Sequence, residues 1–135
     1  MSITVNPQTK ITMLPPEFVQ AINGVVQSSE AANGNGVIIN FRDPTYSVTN
    51  GGYHPVEIHV DPKGNLLSIT DFAYFGAPPF VELGIELDFS FEHDYFRQYD
   101  NMYDLECGRS LLGLYTRNFA AYFNTGVYQV EVSTL

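Results

Sequence analysis

The sequence predicts an α+β fold: a twisted antiparallel β-meander sheet with an N-terminal and a C-terminal helix packed on one of its faces. Three observations lead there. From Phe80 to Phe91, the residues Leu83, Ile85, Leu87, Phe89 and Phe91 alternate strictly with Glu82, Gly84, Glu86, Asp88 and Ser90, which is the period of two of a strand with one apolar and one polar face. The breaks Asn50-Gly51-Gly52, Pro62-Lys63-Gly64-Asn65 and Gly76-Ala77-Pro78-Pro79 are too short for a parallel crossover, which needs about a dozen residues. Near each end of the chain the apolar residues recur at helical spacing instead.

Taken in order, Pro15 and Pro16 open a helix expected over 16–32, where a missing amide hydrogen costs nothing. Its apolar side is Phe18, Ile22, Val25 and Val26, and Asn33, Gly34, Asn35 and Gly36 end it. Strands are expected at 37–42, 55–61, 66–75 and 80–91. In the second of these, Val56, Ile58 and Val60 face one way and Glu57, His59 and Asp61 the other. A second helix is expected over 105–123, with Leu111, Leu112, Tyr115, Phe119, Tyr122 and Phe123 as a broad aromatic stripe that must pack on the sheet. Gly126 then reopens a last strand at 127–133. On this pattern Leu83, Ile85, Leu87 and Phe89 are buried, and Glu82, Glu86 and Asp88 lie on the opposite face.

A chain of 135 residues is expected to form a single domain spanning 1–135, large enough to bury a core without disulfides. Nineteen Phe and Tyr residues supply that core in the absence of Trp. The net charge of −9 opposes any sequence-independent grip on phosphate backbones, so nucleic acid is not an expected partner. The acidity is concentrated: residues 82–106 hold eight carboxylates against Arg97 alone among lysines and arginines. The lone Cys107 fits a reducing compartment, and with no apolar run long enough for a membrane span or a secretory signal the expected location is cytoplasmic. Cys107 has no histidine beside it in sequence to act as a base, so a nucleophilic role is not expected.

No catalytic motif stands out. His54, Glu57, His59 and Asp61 are residue types that zinc or iron could use, but alternate side chains on a strand lie about 7 Å apart and nearly parallel, so they converge only with help from another strand. Glu86 and Asp88 suit an acid and base pair in type, yet strand alternation alone accounts for them. Ser68, Thr70, Asp71 and Ser110 make no nucleophile elbow. Asp71 is an acid in a mostly apolar strand and is expected to bond a turn or edge backbone. No metal, cofactor or catalytic centre is expected.

At Gly51-Gly52-Tyr53-His54-Pro55-Val56-Glu57-Ile58, at Ile69-Thr70-Asp71-Phe72-Ala73-Tyr74-Phe75-Gly76, at Glu82-Leu83 through Glu86-Leu87-Asp88-Phe89, and at Gly126-Val127-Tyr128-Gln129 after the aromatic helix, the chain resembles an uncharacterised bacterial family, domain of unknown function 2787. Members of that family occur in marine and enteric gammaproteobacteria, often on mobile islands. The resemblance implies a fold similar to the mitochondrial matrix acidic glycoprotein family, whose members are acidic, oligomeric binding proteins. It brings no catalytic residues, and the long acidic loop of the mitochondrial proteins is missing here.

The leading functional expectation is a non-enzymatic binding or scaffold protein, a homo-oligomer that contacts a basic protein or peptide through an acidic sheet face formed by Glu57, His59, Glu82, Glu86, Asp88 and Glu92. Two other readings compete with it. One is a small enzyme with a pocket between sheet and helix, using His54, His59 and nearby carboxylates. The other is a DNA mimic, against which charge density argues: duplex DNA carries one charge per roughly 1.7 Å.

Overall fold

A computed structural model describes residues 3–29 and 34–135. Helix α1 (Pro16–Gln27) precedes strands β1 (Val37–Arg42), β2 (Val56–Val60), β3 (Leu66–Phe75), β4 (Glu82–Ser90), β5 (Tyr95–Gln98) and β6 (Asn101–Asp104). A 3₁₀ turn (Leu105–Gly108), helix α2 (Arg109–Asn124) and strand β7 (Gln129–Thr134) complete the chain. All seven strands join one sheet in the order β6-β5-β4-β3-β2-β1-β7, and every pairing is antiparallel. The α+β meander with terminal helices is therefore the observed architecture. The first helix stops at Gln27, shorter than expected, and the expected stretch 30–32 lies outside the described residues. The hairpin of β5 and β6 was not expected at all, and the run expected as helix from 105 begins with the 3₁₀ turn.

Register explains why both helices sit on one face. In antiparallel pairing, directly opposite residues share a face. One transverse row therefore runs Val132, Ile39, Ile58, Ile69, Phe89, Phe96 across six strands. All but Val132 are buried, and Phe18, Ile22 and Val26 of α1 and Leu112, Phe119 and Ala120 of α2 close over this side. Phe119 meets Phe41 of β1 edge to face at 4.9 Å and Phe18 of α1 at 5.9 Å, so one α2 ring ties both layers together. Gly108 lets α2 begin this close to the sheet: a Cβ there would come within 2.9 Å of the Phe96 ring and 3.2 Å of Phe89. Each fully buried large apolar side chain contributes about 1.5–3 kcal/mol relative to exposure, and this row together with the helix faces makes up half of the buried core cluster.

The next row on the same face runs Val130, Phe41, Val56, Asp71, Leu87. Asp71 thus occupies an apolar slot. Just beyond it the ladder slips: Asp71 pairs with Leu87 but Phe72 pairs with Ile85, leaving Glu86 as an extra residue on β4. This bulge corrects the expected alternation. Leu87 and Phe89 face the helices as expected, but upstream of Glu86 the strand has turned over. Ile85 and Leu83 now share the uncovered face with Phe72 and Tyr74, and Leu83 is 49% exposed. Glu82, opposite Phe75, and Glu86 go to the helix side, while Asp88 stays on the uncovered side but is buried. A bulge of one residue inverts faces because side chains alternate with a period of two.

Candidate functional site

Two concave regions lie on opposite faces of the sheet. The first, of about 270 Å³, is on the uncovered face and brings together Glu57 and His59 of β2, Thr70 and Phe72 of β3, Asp88 of β4, and Glu92. Four of the six expected partner-binding residues therefore share one groove; Glu82 and Glu86 do not. His59 Nε2 lies 2.7 Å from Glu57 Oε1, and His93 Nε2 lies 2.9 Å from Glu92 Oε1. Asp88 accepts hydrogen bonds from the Thr70 hydroxyl at 3.0 Å and the Tyr95 hydroxyl at 2.7 Å. The bond to Asp88 raises the Tyr95 pKa, with burial adding to it. Across the ladder Asp88 faces Arg97, which tempers the negative potential on that side.

The second region is a cavity of about 410 Å³ between the sheet and α2, near the position foreseen for a small-enzyme pocket. His54, Asp71, Glu86 and Tyr115 line it, but His59 lies on the other face. His54 arrives from the loop before β2 and is 36% exposed. Its Nδ1 stands 2.9 Å from Asp71 Oδ1 and 2.9 Å from Glu86 Oε2. Asp71 has a partner on each oxygen, since the Tyr115 hydroxyl donates to Oδ2 at 2.7 Å. A single imidazole N–H cannot serve two carboxylates well. It points at Asp71, and buried Glu86 Oε2 meets the same nitrogen only as a poorly directed contact, with no well-formed hydrogen bond among the described residues.

These neighbours shift the titrations around the cavity. The hydrogen bond to Asp71 raises the His54 pKa most, burial opposes it, and the charges of Asp71 and Glu86 raise it further. Burial first, then the Asp71 charge and hydrogen bond, push the Tyr115 hydroxyl well above the ordinary phenol range. At neutral pH Tyr115 is therefore a donor that positions Asp71. The arrangement can hold a proton or a cation between two carboxylates, and among the described residues His54, Asp71 and Glu86 form a group that could hold a metal: one donor atom from each lies within 4.8 Å of the others.

Several sequence readings need correction at this level. Glu86 and Asp88 point to opposite faces, so they cannot act as an acid and base pair. The grouping of His54, Glu57, His59 and Asp61 does not converge: Asp61 accepts from the Lys63 and Asn65 backbone amides in a turn, and Glu57 pairs with His59. Asp71 bonds two side chains rather than a turn or edge backbone. The acid in an apolar strand was the visible sign of the cavity; its partners His54 and Tyr115, 17 and 44 residues away, were not.

The family model described as "Protein of unknown function (DUF2787)" matches residues 16–133. The chain belongs to this family. The solved structures that share the fold include two from Vibrio cholerae. The hypothetical protein VC1805 from Vibrio cholerae pathogenicity island VPI-2 is 32% identical, with a TM-score of 0.75 over 93% of this chain and 100% of its own. It is described as sharing structural homology with the human P32 protein. The hypothetical protein VC0508 from the Vibrio cholerae VSP-II pathogenicity island is 27% identical, with a TM-score of 0.76 over 90% of this chain and 95% of its own. No curated protein matches the chain. Family and fold agree with the resemblance read from the sequence. Among the described residues no helix is long and apolar enough to cross a membrane.

Proposed function

We propose that the protein is a non-enzymatic binding protein that docks a basic peptide segment of a protein partner on its uncovered sheet face and works as a homo-oligomer. The observation that carries this reading is the convergence of Glu57, His59, Asp88 and Glu92 in one groove beside half-exposed Phe72 and Ile85. Carboxylates next to apolar surface suit a Lys or Arg side chain, whose stem packs while its charged end pairs. The net charge of −9 steers such a partner from a distance. The likeness of VC1805 to human P32 supports a binding role and an oligomer through the resemblance to the acidic mitochondrial family.

A fluorescent nonapeptide rich in Lys and Arg, titrated by anisotropy, tests the reading. Affinity falls as salt rises, because exposed charges are screened beyond about 8 Å at physiological ionic strength. Replacing Glu57 and Glu92 together by Gln weakens binding and leaves the fold intact. Binding that ignores both salt and this variant removes the groove as the docking surface.

A further inference from the structure

We propose that His54, Asp71 and Glu86 form a binding site for a divalent first-row metal ion, zinc or manganese, in the cavity between the sheet and α2. The inference concerns the opposite face from the docking groove, and it runs against the expectation of no metal drawn from sequence.

Geometry is the first support. Two ligands held at about 2.1 Å from one ion lie about 3.0 Å apart at the right angles of octahedral manganese and about 3.4 Å apart at the tetrahedral angle of zinc. The separations of His54 Nδ1 from Asp71 Oδ1 and from Glu86 Oε2 are both 2.9 Å. An ion in this position needs only a small adjustment of the side chains, because three donor atoms already lie within 4.8 Å of one another. Supporting bonds are in place as well: Tyr115 orients Asp71 through Oδ2 at 2.7 Å, and Tyr99 reaches Glu86 Oε1 at 3.3 Å. Outer partners of this kind fix ligand orientation in metal sites.

Charge is the second. Asp71 is buried and the Glu86 side chain is only 23% exposed, so two carboxylates share a poorly solvated space and repel. One imidazole N–H offsets part of this and leaves Glu86 Oε2 without a well-directed donor. A dication bound by neutral His54 and both carboxylates balances the charge and supplies the missing partner. The bulge at Glu86 is what makes the set possible, since it turns this acid toward Asp71 and away from the uncovered face. An imidazole nitrogen among the donors favours zinc over calcium or magnesium, which take oxygen ligands, and the two carboxylates suit manganese as well. The remaining cavity leaves room for water or a small ligand on the ion.

The test is calorimetric titration of the metal-free full chain with zinc chloride and separately with manganese chloride, and calcium chloride as a control. One equivalent binds per chain, His54→Ala and Glu86→Gln each weaken binding at least tenfold, and Glu57→Gln with His59→Ala on the other face leaves it unchanged. Manganese provides a second readout that does not depend on variants folding: its paramagnetism broadens the imidazole resonances of His54 and spares those of His59. Absence of binding, binding retained in both cavity variants, or broadening centred on His59 overturns the proposal.

Discussion

Replacing Tyr115 by Phe removes one oxygen atom and leaves the ring in place, which makes it a sharp test of how the fold tolerates a carboxylate in an apolar row. Asp71 is buried, with its side chain 9% exposed, and Tyr115 donates to its Oδ2 at 2.7 Å. Hydrogen bonds to charged groups contribute about 1.5–3 kcal/mol each. The unfolding entropy of about 2.1 cal/mol/K per residue gives a chain of this length about 0.28 kcal/mol/K, so the substitution lowers Tm by about 5–11 °C. Differential scanning calorimetry at pH 7 reads this directly, without added metal. The decisive comparison is the same substitution in an Asp71→Ala background, where the bond is already gone and the cost falls well below the single-variant value. A loss of less than about 0.5 kcal/mol in the parent chain, or equal losses in both backgrounds, refutes the argument that Tyr115 holds Asp71 in place.

Two further substitutions probe the loops on either side of β2. The Asp43 carboxyl is held below its ordinary pKa of 3.8, first by the Tyr53 amide and then by the Thr45 hydroxyl and amide. A depressed folded-state pKa means that its stabilisation is in place above the unfolded value and is lost as pH falls through the folded one. Asp43→Asn is therefore less stable than the parent at pH 7, and the Tm gap closes as pH is lowered through and below the ordinary carboxylate range; a gap independent of pH contradicts the assignment. Gly64 has φ of 91° and a Cβ there would run into the Thr4 carbonyl oxygen, so Gly64→Ala destabilises by more than about 1 kcal/mol in urea unfolding.

The parts of the fold that were legible in the sequence are those set by uninterrupted periodicity. In β1 and β2, and in β3 from Ile69 to Ala73, alternate side chains face the same core, and the bounds of all three strands differ from expectation by at most one residue, although a register shift at Leu67 breaks the alternation at the start of β3. Strands β5 and β6 are four residues each, too short to show a period, and Tyr99 turns between them at a φ of 53° without the glycine that marks such turns. The bulge in β4 was illegible for a different reason. Its residues alternate without a break through Glu86, so only pairing with β3 reveals that the two halves face different ways. The site followed suit: Glu57, His59, Asp88 and Glu92 could be grouped from strand phase, whereas His54, Asp71, Glu86 and Tyr115 meet only once the loop, two strands and a helix are folded together.

The extra residue in β4 also works as a frameshift within a single strand. Downstream of Glu86 the odd-numbered positions belong to the core; upstream they belong to the uncovered face. An insertion or deletion in relatives at this point, which would be almost neutral in a loop, would here exchange the two sets of side chains wholesale. It would withdraw Glu86 from the cavity and send Leu83 and Ile85 back toward the helices. The length of β4 between Phe75's partner Glu82 and Phe89 is thus a heritable setting for which face of the sheet carries charge and which carries grease, independent of the identity of any one residue in it.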